Sequence, residues 1–230
     1  MKQDPLIGTQ IRDYLIQSRL GEGGMARVYK AYHKRLRREA AIKIILSDIA
    51  HNANFQARFE QEAQLIANLQ HPNIVSIYDF GEEHDLTYLV MQYVGGGTLR
   101  ENLPHGRPLE ARRAIHYTLQ MARALHHAHQ HGIVHRDVKP QNMLLSSDNP
   151  HQLLLSDFGI AKIFDHTQEE THTGDIGDVS QAYPLVTSAG QIVGTAAYMA
   201  PEQVNRQPVD ARTDVYALGV VLYQMLTGYA

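Results

Sequence analysis

The sequence predicts an α+β chain in two parts, a strand-rich first part with one helix and a mainly helical second part. Three observations predict it. Short β-branched and aromatic runs broken by glycines fill residues 14–46 and 74–94. Gly95-Gly96-Gly97 then follows a buried-looking strand, where glycine supplies the backbone freedom of a hinge. Long helical patterns, at 109–130 and 211–226, come only after those glycines.

The elements follow in order. Residues 1–12 form a lead-in, and 13–93 make the first lobe. In it YLIQSRL, RVYKAYH and EAAIKII read as strands, with the glycine cluster 21–24 between the first two. Residues 54–69 read as a helix, because Phe55, Phe59, Ala63, Ile66 and Leu69 recur near helical spacing with charges between them. His71-Pro72-Asn73 stops it. IVSIYDF and LTYLVMQYV are two further strands, with GEEHD as their turn. Residues 94–98 are the hinge and 99–230 the second lobe. Its first helix ends at Gly132, and short extended pieces follow at 133–145 and 153–155. Residues 165–192 are polar and read as a long loop. The pattern from Ala211 to Leu226 is apolar nearly all round, which predicts a buried helix.

Composition narrows the function. The chain of 230 residues carries a net charge of −3, so the basic excess of a nucleic-acid or membrane-surface binder is absent. It has no Cys, which excludes disulfides and thiolate chemistry. No signal peptide opens it. Its most apolar late stretch, Val215 to Leu226, falls short of the ~20 residues of a membrane span, so no membrane contact is expected within this segment.

Five motifs carry chemistry. Gly21-Glu22-Gly23-Gly24-Met25-Ala26 can bring backbone N–H groups against phosphate oxygens, although alone it reads as well as a hairpin turn. It lacks the Gly-Lys-Ser/Thr ending of a P-loop, and no helix follows it. Lys43 lies inside an apolar strand, where an ammonium needs a partner, an anion or a route to water. Glu62 on the following helix is its natural partner. The remaining three are His135-Arg136-Asp137-Val138-Lys139-Pro140-Gln141-Asn142, then Asp157-Phe158-Gly159, then Gly194-Thr195 ahead of Ala200-Pro201-Glu202.

Taken in order and spacing, this set resembles the protein-kinase signature from about residue 13 to 230. Phrases such as LGEGGMARVYKA, HRDVKPQN and GTAAYMAPEQ are similar to the eukaryotic-like Ser/Thr kinases of bacteria. The resemblance implies a bilobal protein-kinase fold with an antiparallel-sheet N-lobe. It also implies transfer of the γ-phosphoryl of ATP, with Mg²⁺ (or Mn²⁺), to Ser/Thr hydroxyls of protein substrates. It implies further roles residue by residue. Leu20, Gly21, Glu22, Gly23, Gly24 and Ala26 would cover the phosphates; Lys43, held by Glu62, would bind α and β phosphates. Val28, Ala41 and Leu144 would sandwich adenine, with Met91 as gatekeeper and Gln92 to Val94 as the adenine-bonding hinge. Asp157 and Asn142 would hold metal, and Asp137 would orient the attacking hydroxyl. Lys139 would neutralise the γ-phosphate, Thr195 would buttress Asp137 and Lys139, and Asp214 would anchor the catalytic-loop backbone.

Some features depart from the pattern or extend it. Ala26 stands where the loop's third glycine would be. Arg136 is suited to receive a phosphate from the long loop, which makes Thr187 or Ser188 the expected autophosphorylation site. The family continues beyond the last helix here, so a C-terminally truncated second lobe is expected. The resemblance extends to pairing of two copies through the first lobe. It also implies a cytoplasmic location, including that of a cytoplasmic domain in a membrane-anchored protein continuing past residue 230. Two other functions compete: a small-molecule kinase of similar fold, and a catalytically weak scaffold. The segment from Gly194 to Glu202 argues against the first, and intact Lys43, Asp137, Asn142 and Asp157 against the second. His127 and His131, four apart on a helix, invite a metal reading, but no further ligand is evident beside them.

Overall fold

The computed structural model describes residues 4–23, 26–46, 53–84, 86–103, 105–158 and 196–230. Two units divide the chain: Met1–Gln70 with Val75–Val94, and His71–Ile74 with Gly95–Ala230.

The first unit is one six-stranded sheet and a helix. The strands are β1 (Gln10–Ile11), β2 (Tyr14–Glu22), β3 (Ala26–His33), β4 (Arg38–Ile45), β5 (Ile77–Glu83) and β6 (Leu86–Gln92). Their order is β1-β2-β3-β4-β6-β5, and every pairing is antiparallel. The lead-in is thus tied to the sheet: Gln10 and Ile11 pair with β2, and Gly8 N–H donates to Ile16 C=O at 2.9 Å. Period-two alternation sorts the side chains onto two faces. Tyr29, Ala31, Ala40, Ile42, Ile44, Tyr88 and Val90 pack into one core with Ile11, Tyr14 and Ile16. Val28, Lys30, Ala41, Lys43, Leu89 and Met91 alternate with them and take the other face. Helix α1 (Ala53–Ala67) buries Phe55, Phe59, Ala63 and Ile66, one stripe at helical spacing, and packs on β5. The ring of Phe59 meets that of Phe80 edge-on, 6.4 Å between centroids.

The second unit is built on two long helices, α2 (Ala111–Gln130) and a later one that packs on it, with the hairpin β7 (Met143–Leu145) and β8 (Leu153–Leu155) beside them. Helix α2 buries Ala114, Tyr117, Met121, Ala124, Leu125 and Ala128, and the chain turns at Gly132 with φ 75°. A 3-10 turn at Pro140–Asn142 leads into β7. The short helix α3 (Pro201–Val204) precedes α4 (Ala211–Thr227), which is capped by the Asp210 carboxylate at Arg212 N–H and by left-handed Gly228. The piece His71–Ile74 belongs here. Asn73 Nδ2 donates to Gln120 Oε1 and to Leu153 C=O, both at 2.7 Å, and Leu155 N–H donates to Asn73 C=O at 2.9 Å.

Two details differ from the sequence expectation. Gly96 is fixed rather than loose, because its N–H donates to Leu145 C=O at 3.0 Å and Leu145 N–H donates to Gly97 C=O at 2.9 Å. A Cβ on Gly96 would lie 2.4 Å from Leu145 O, so glycine permits a close backbone approach there. Helix α4 is not buried all round. Val215, Tyr216, Tyr223 and Leu226 are exposed, since α2 and the turn Ala196–Tyr198 cover only its other side.

Candidate active site

The expected site residues fall into two sets, one in each unit. In the first, Leu20, Gly21 and Glu22 end β2, and Gly23, the next residue, donates its N–H to Ala26 C=O at 2.9 Å. Glu22 receives Arg19 at 2.7 Å and Arg27 at 2.8 Å, and the Arg27 hydrogen bond holds its carboxyl below the usual range. Ladder register then aligns two rows across the sheet: Val28–Lys43–Leu89 and Lys30–Ala41–Met91. Lys43 and Val28 are therefore direct neighbours on the face away from the core, as are Ala41 and Met91. Glu62 lies half-buried on α1. Gln92 closes the β4–β6 ladder opposite Ala40, and Val94 lies two residues beyond.

In the second unit the loop 133–142 is held from three directions. Asp214 on α4 has a fully buried carboxylate. Its Oδ2 accepts His135 N–H at 2.8 Å, and its Oδ1 accepts Arg136 N–H at 2.8 Å. His129 Nε2 on α2 lies 2.7 Å from the same Oδ2. Gln203 on α3 donates from Nε2 to Arg136 C=O at 2.8 Å and accepts Ala200 N–H at 3.0 Å. Both backbone groups of Arg136 are thus fixed by side chains from other elements. That suits a residue held at φ 67°, in the left-handed region that a non-glycine residue occupies at a cost of about 1–3 kcal/mol. His135 is fully buried; its Nδ1 accepts Asp137 N–H at 3.2 Å, so its Nε2–H donates to Ser156 C=O at 2.8 Å. The Phe158 ring packs on it, 4.6 Å between centroids.

This frame presents Asp137. Lys139 Nζ lies 2.7 Å from Asp137 Oδ2, and Asn142 Nδ2 donates to the same oxygen at 3.1 Å and to Asp137 C=O at 2.8 Å. One carboxylate oxygen is therefore held, and Oδ1 has no partner among the described residues. Asn142 spends its amide nitrogen inward, which leaves its oxygen as a donor for a cation. Asp157, at φ 64°, adds a carboxylate two residues after β8. Amide and carboxylate oxygens are the hard donors that Mg²⁺ selects, so the residues fit the ion. Leu144 pairs with Leu154 in the β7–β8 hairpin and bridges to Thr98.

Gly24, Thr187, Ser188 and Thr195 lie outside the described residues. Glu202 accepts from Thr213 Oγ1 at 2.6 Å, a bond that lowers its pKa. Of the histidines, the rings of His127 and His131 lie 4.6 Å apart, tilted by 50°, and that of His71 lies 5.4 Å from His127. Among the described residues no group of three or more His, Asp or Glu is placed to hold an ion. Sequence reasoning missed His129 and Gln203 as supports of the loop 133–142. The signal for His129 was present, since it continues the i, i+4 series of buried Met121 and Leu125.

Residues 14–230 match the family described as protein kinase domain, and the chain belongs to that family. Among its relatives are bacterial serine/threonine-protein kinases. It is 43% identical over 213 residues to PknB of Mycolicibacterium smegmatis, covering 91% of this chain and 31% of that protein. It is 42% identical over 224 residues to PrkC of Bacillus subtilis, covering 97% of this chain and 32% of that protein. The chain therefore spans about a third of the length of these relatives. The crystal structure of the Mycobacterium tuberculosis PknI kinase domain superposes with a TM-score of 0.70 at 27% identity, over 97% of this chain and 77% of that one.

Proposed function

We propose that this chain is the catalytic domain of a Ser/Thr protein kinase that uses Mg²⁺ and ATP. The observation that carries the reading is the Asp137 carboxylate, held at one oxygen by Lys139 and Asn142 on a loop fixed by Asp214. A group so held can position a hydroxyl and take its proton, which is what phosphoryl transfer asks of a protein.

The mechanism assigns roles to both sets of residues. The loop from Leu20 to Ala26 covers the triphosphate, and Lys43 with Glu62 binds its α and β phosphates. Val28, Ala41 and Met91 pack on the adenine, whose edge bonds the backbone of Gln92 to Val94. Asp157 and the Asn142 oxygen would hold Mg²⁺ (or Mn²⁺), which would neutralise phosphate charge. The substrate hydroxyl oxygen forms a bond to the γ phosphorus while the bond to the β–γ bridging oxygen breaks and ADP leaves. The hydroxyl proton goes to Asp137, and Lys139 stabilises the transferred group. Thr195 buttresses both.

Regulation belongs to the same proposal. Arg136 receives a phosphate placed by autophosphorylation on Thr187 or Ser188, and two copies pair through the first unit. Among the described residues no helix is long and apolar enough to cross a membrane, and a cytoplasmic site suits an ATP user. The reading is tested by labelled-ATP transfer to a generic basic protein beside a panel of sugars and aminoglycosides, with phosphosite mapping. Label on protein Ser/Thr supports it. Label on the small molecules alone overturns it, and unmodified Thr187 and Ser188 in active protein remove the loop assignment.

A further inference from the structure

The adenine-bonding segment raises a physical conflict. Those of its backbone N–H and C=O groups that bond the purine edge must stay free, so a strand ladder cannot hold all of them. The β4–β6 ladder does stop at Ala40–Gln92, and Gln92 N–H turns to Ser76 C=O at 2.8 Å. Tyr93 and Val94 therefore need another anchor.

Lys30 supplies one. Its Nζ lies 4.6 Å from the centroid of the Tyr93 ring, within cation–π range. The same Nζ is 2.6 Å from Glu39 Oε1, and this hydrogen bond raises the pKa of Lys30 and keeps it cationic. Register brings the three together. Lys30 stands opposite Ala41, Ala41 opposite Met91, and Tyr32 opposite Glu39. Glu39 is thus the diagonal neighbour of Lys30, and Tyr93 extends the Met91 side by one period. The Lys30 side chain is 25% exposed.

We propose that Lys30 is a positioning residue for nucleotide binding: with Glu39 it clamps Tyr93, and through that ring it sets the backbone of Gln92 to Val94 that the adenine bonds. This rests on the reading of that segment as the adenine site. The clamp acts on adenine alone, because Lys30 shares its row with Ala41 and Met91 while the phosphates belong to Lys43. Its loss weakens ATP and adenosine by the same factor and leaves the turnover of bound ATP unchanged.

The test is direct titration of the protein with ATP and with adenosine, beside kcat and KM. Lys30→Gln and Tyr93→Leu are each expected to raise both dissociation constants about three- to tenfold, with kcat retained. The double variant should bind no worse than the weaker single, since both changes break one contact. Lys30→Arg, which keeps a cation over the aromatic ring, should bind like the parent. Unchanged affinity in Lys30→Gln, losses that multiply in the double variant, or a loss confined to ATP would each overturn the clamp while leaving the adenine site standing. A parent protein that binds ATP but discriminates poorly against tripolyphosphate would overturn the adenine reading and the clamp with it.

Discussion

Asp214→Asn exchanges one atom in the group that holds the catalytic loop, and its cost can be worked from geometry. The buried carboxylate receives three contacts, His135 N–H at 2.8 Å, Arg136 N–H at 2.8 Å and His129 Nε2 at 2.7 Å. Oδ1 faces Arg136 N–H, while Oδ2 faces His135 N–H and His129. An asparagine amide has one accepting oxygen and one donating nitrogen. Whichever way it turns, its NH₂ faces a backbone N–H and leaves a buried donor unsatisfied. That costs about 1–3 kcal/mol, and weakening a charge-assisted bond to a neutral one costs about 1 kcal/mol more. We expect the second unit to lose about 2–4 kcal/mol, read by urea unfolding. The catalytic consequence is larger than the stability loss alone. Arg136, held at φ 67° by the same carboxylate, is released, and Asp137 is the next residue. Under conditions where the variant stays folded, kcat should fall about ten- to a hundredfold with little change in the KM for ATP. A variant within about 0.5 kcal/mol of the parent and equally active would refute the anchoring argument.

Other outcomes follow from the same contacts. Gln203→Ala frees Arg136 C=O and Ala200 N–H, so it should cost about 1–2 kcal/mol in urea unfolding and lower kcat severalfold. Gly96→Ala places a Cβ against Leu145 O, and melting should show a loss of about 1–3 kcal/mol. Burial, followed by the nearby His127 and Arg123, holds the His71 imidazole below its ordinary 6.5. The unfolded chain then takes up the proton first, so this contribution to stability is complete above pH 6.5 and is lost as pH falls through the lower folded value. His71→Gln should flatten that acid limb in melting curves recorded between about pH 7.5 and 5.5; an unchanged slope would exclude His71 as its source.

Much of this was legible in the sequence because strand alternation, helical spacing and linear motifs are local signals. RVYKAYH became β3 with Tyr29, Ala31 and His33 buried, and Phe55, Phe59, Ala63 and Ile66 became the buried stripe of α1. Asp214 could be named in advance only because the family resemblance carries that role onto the late helix. The rest depends on non-local partners. Helical spacing marks His129 as inward-facing, but nothing local names its partner 85 positions away, or Gln203 as the partner of Arg136. Gly96 reads as freedom in one dimension and as close approach in three. Helix α4 reads as buried because its sequence is apolar on every side, yet burial requires neighbours, and the described residues supply them on one side only. Lys30 stood out by no motif, and only the three-dimensional contacts with Glu39 and Tyr93 give it a role.

The central claim is that Asp137 directs phosphoryl transfer from ATP to protein hydroxyls. The most direct measurement is incorporation of labelled γ-phosphate with Mg²⁺, comparing the parent with Asp137→Asn and Lys43→Met, alongside ATP titration of all three. The account predicts labelled protein from the parent and almost none from either variant, with Asp137→Asn still binding ATP. Equal labelling by Asp137→Asn, or no labelling by a parent that binds ATP, would contradict it.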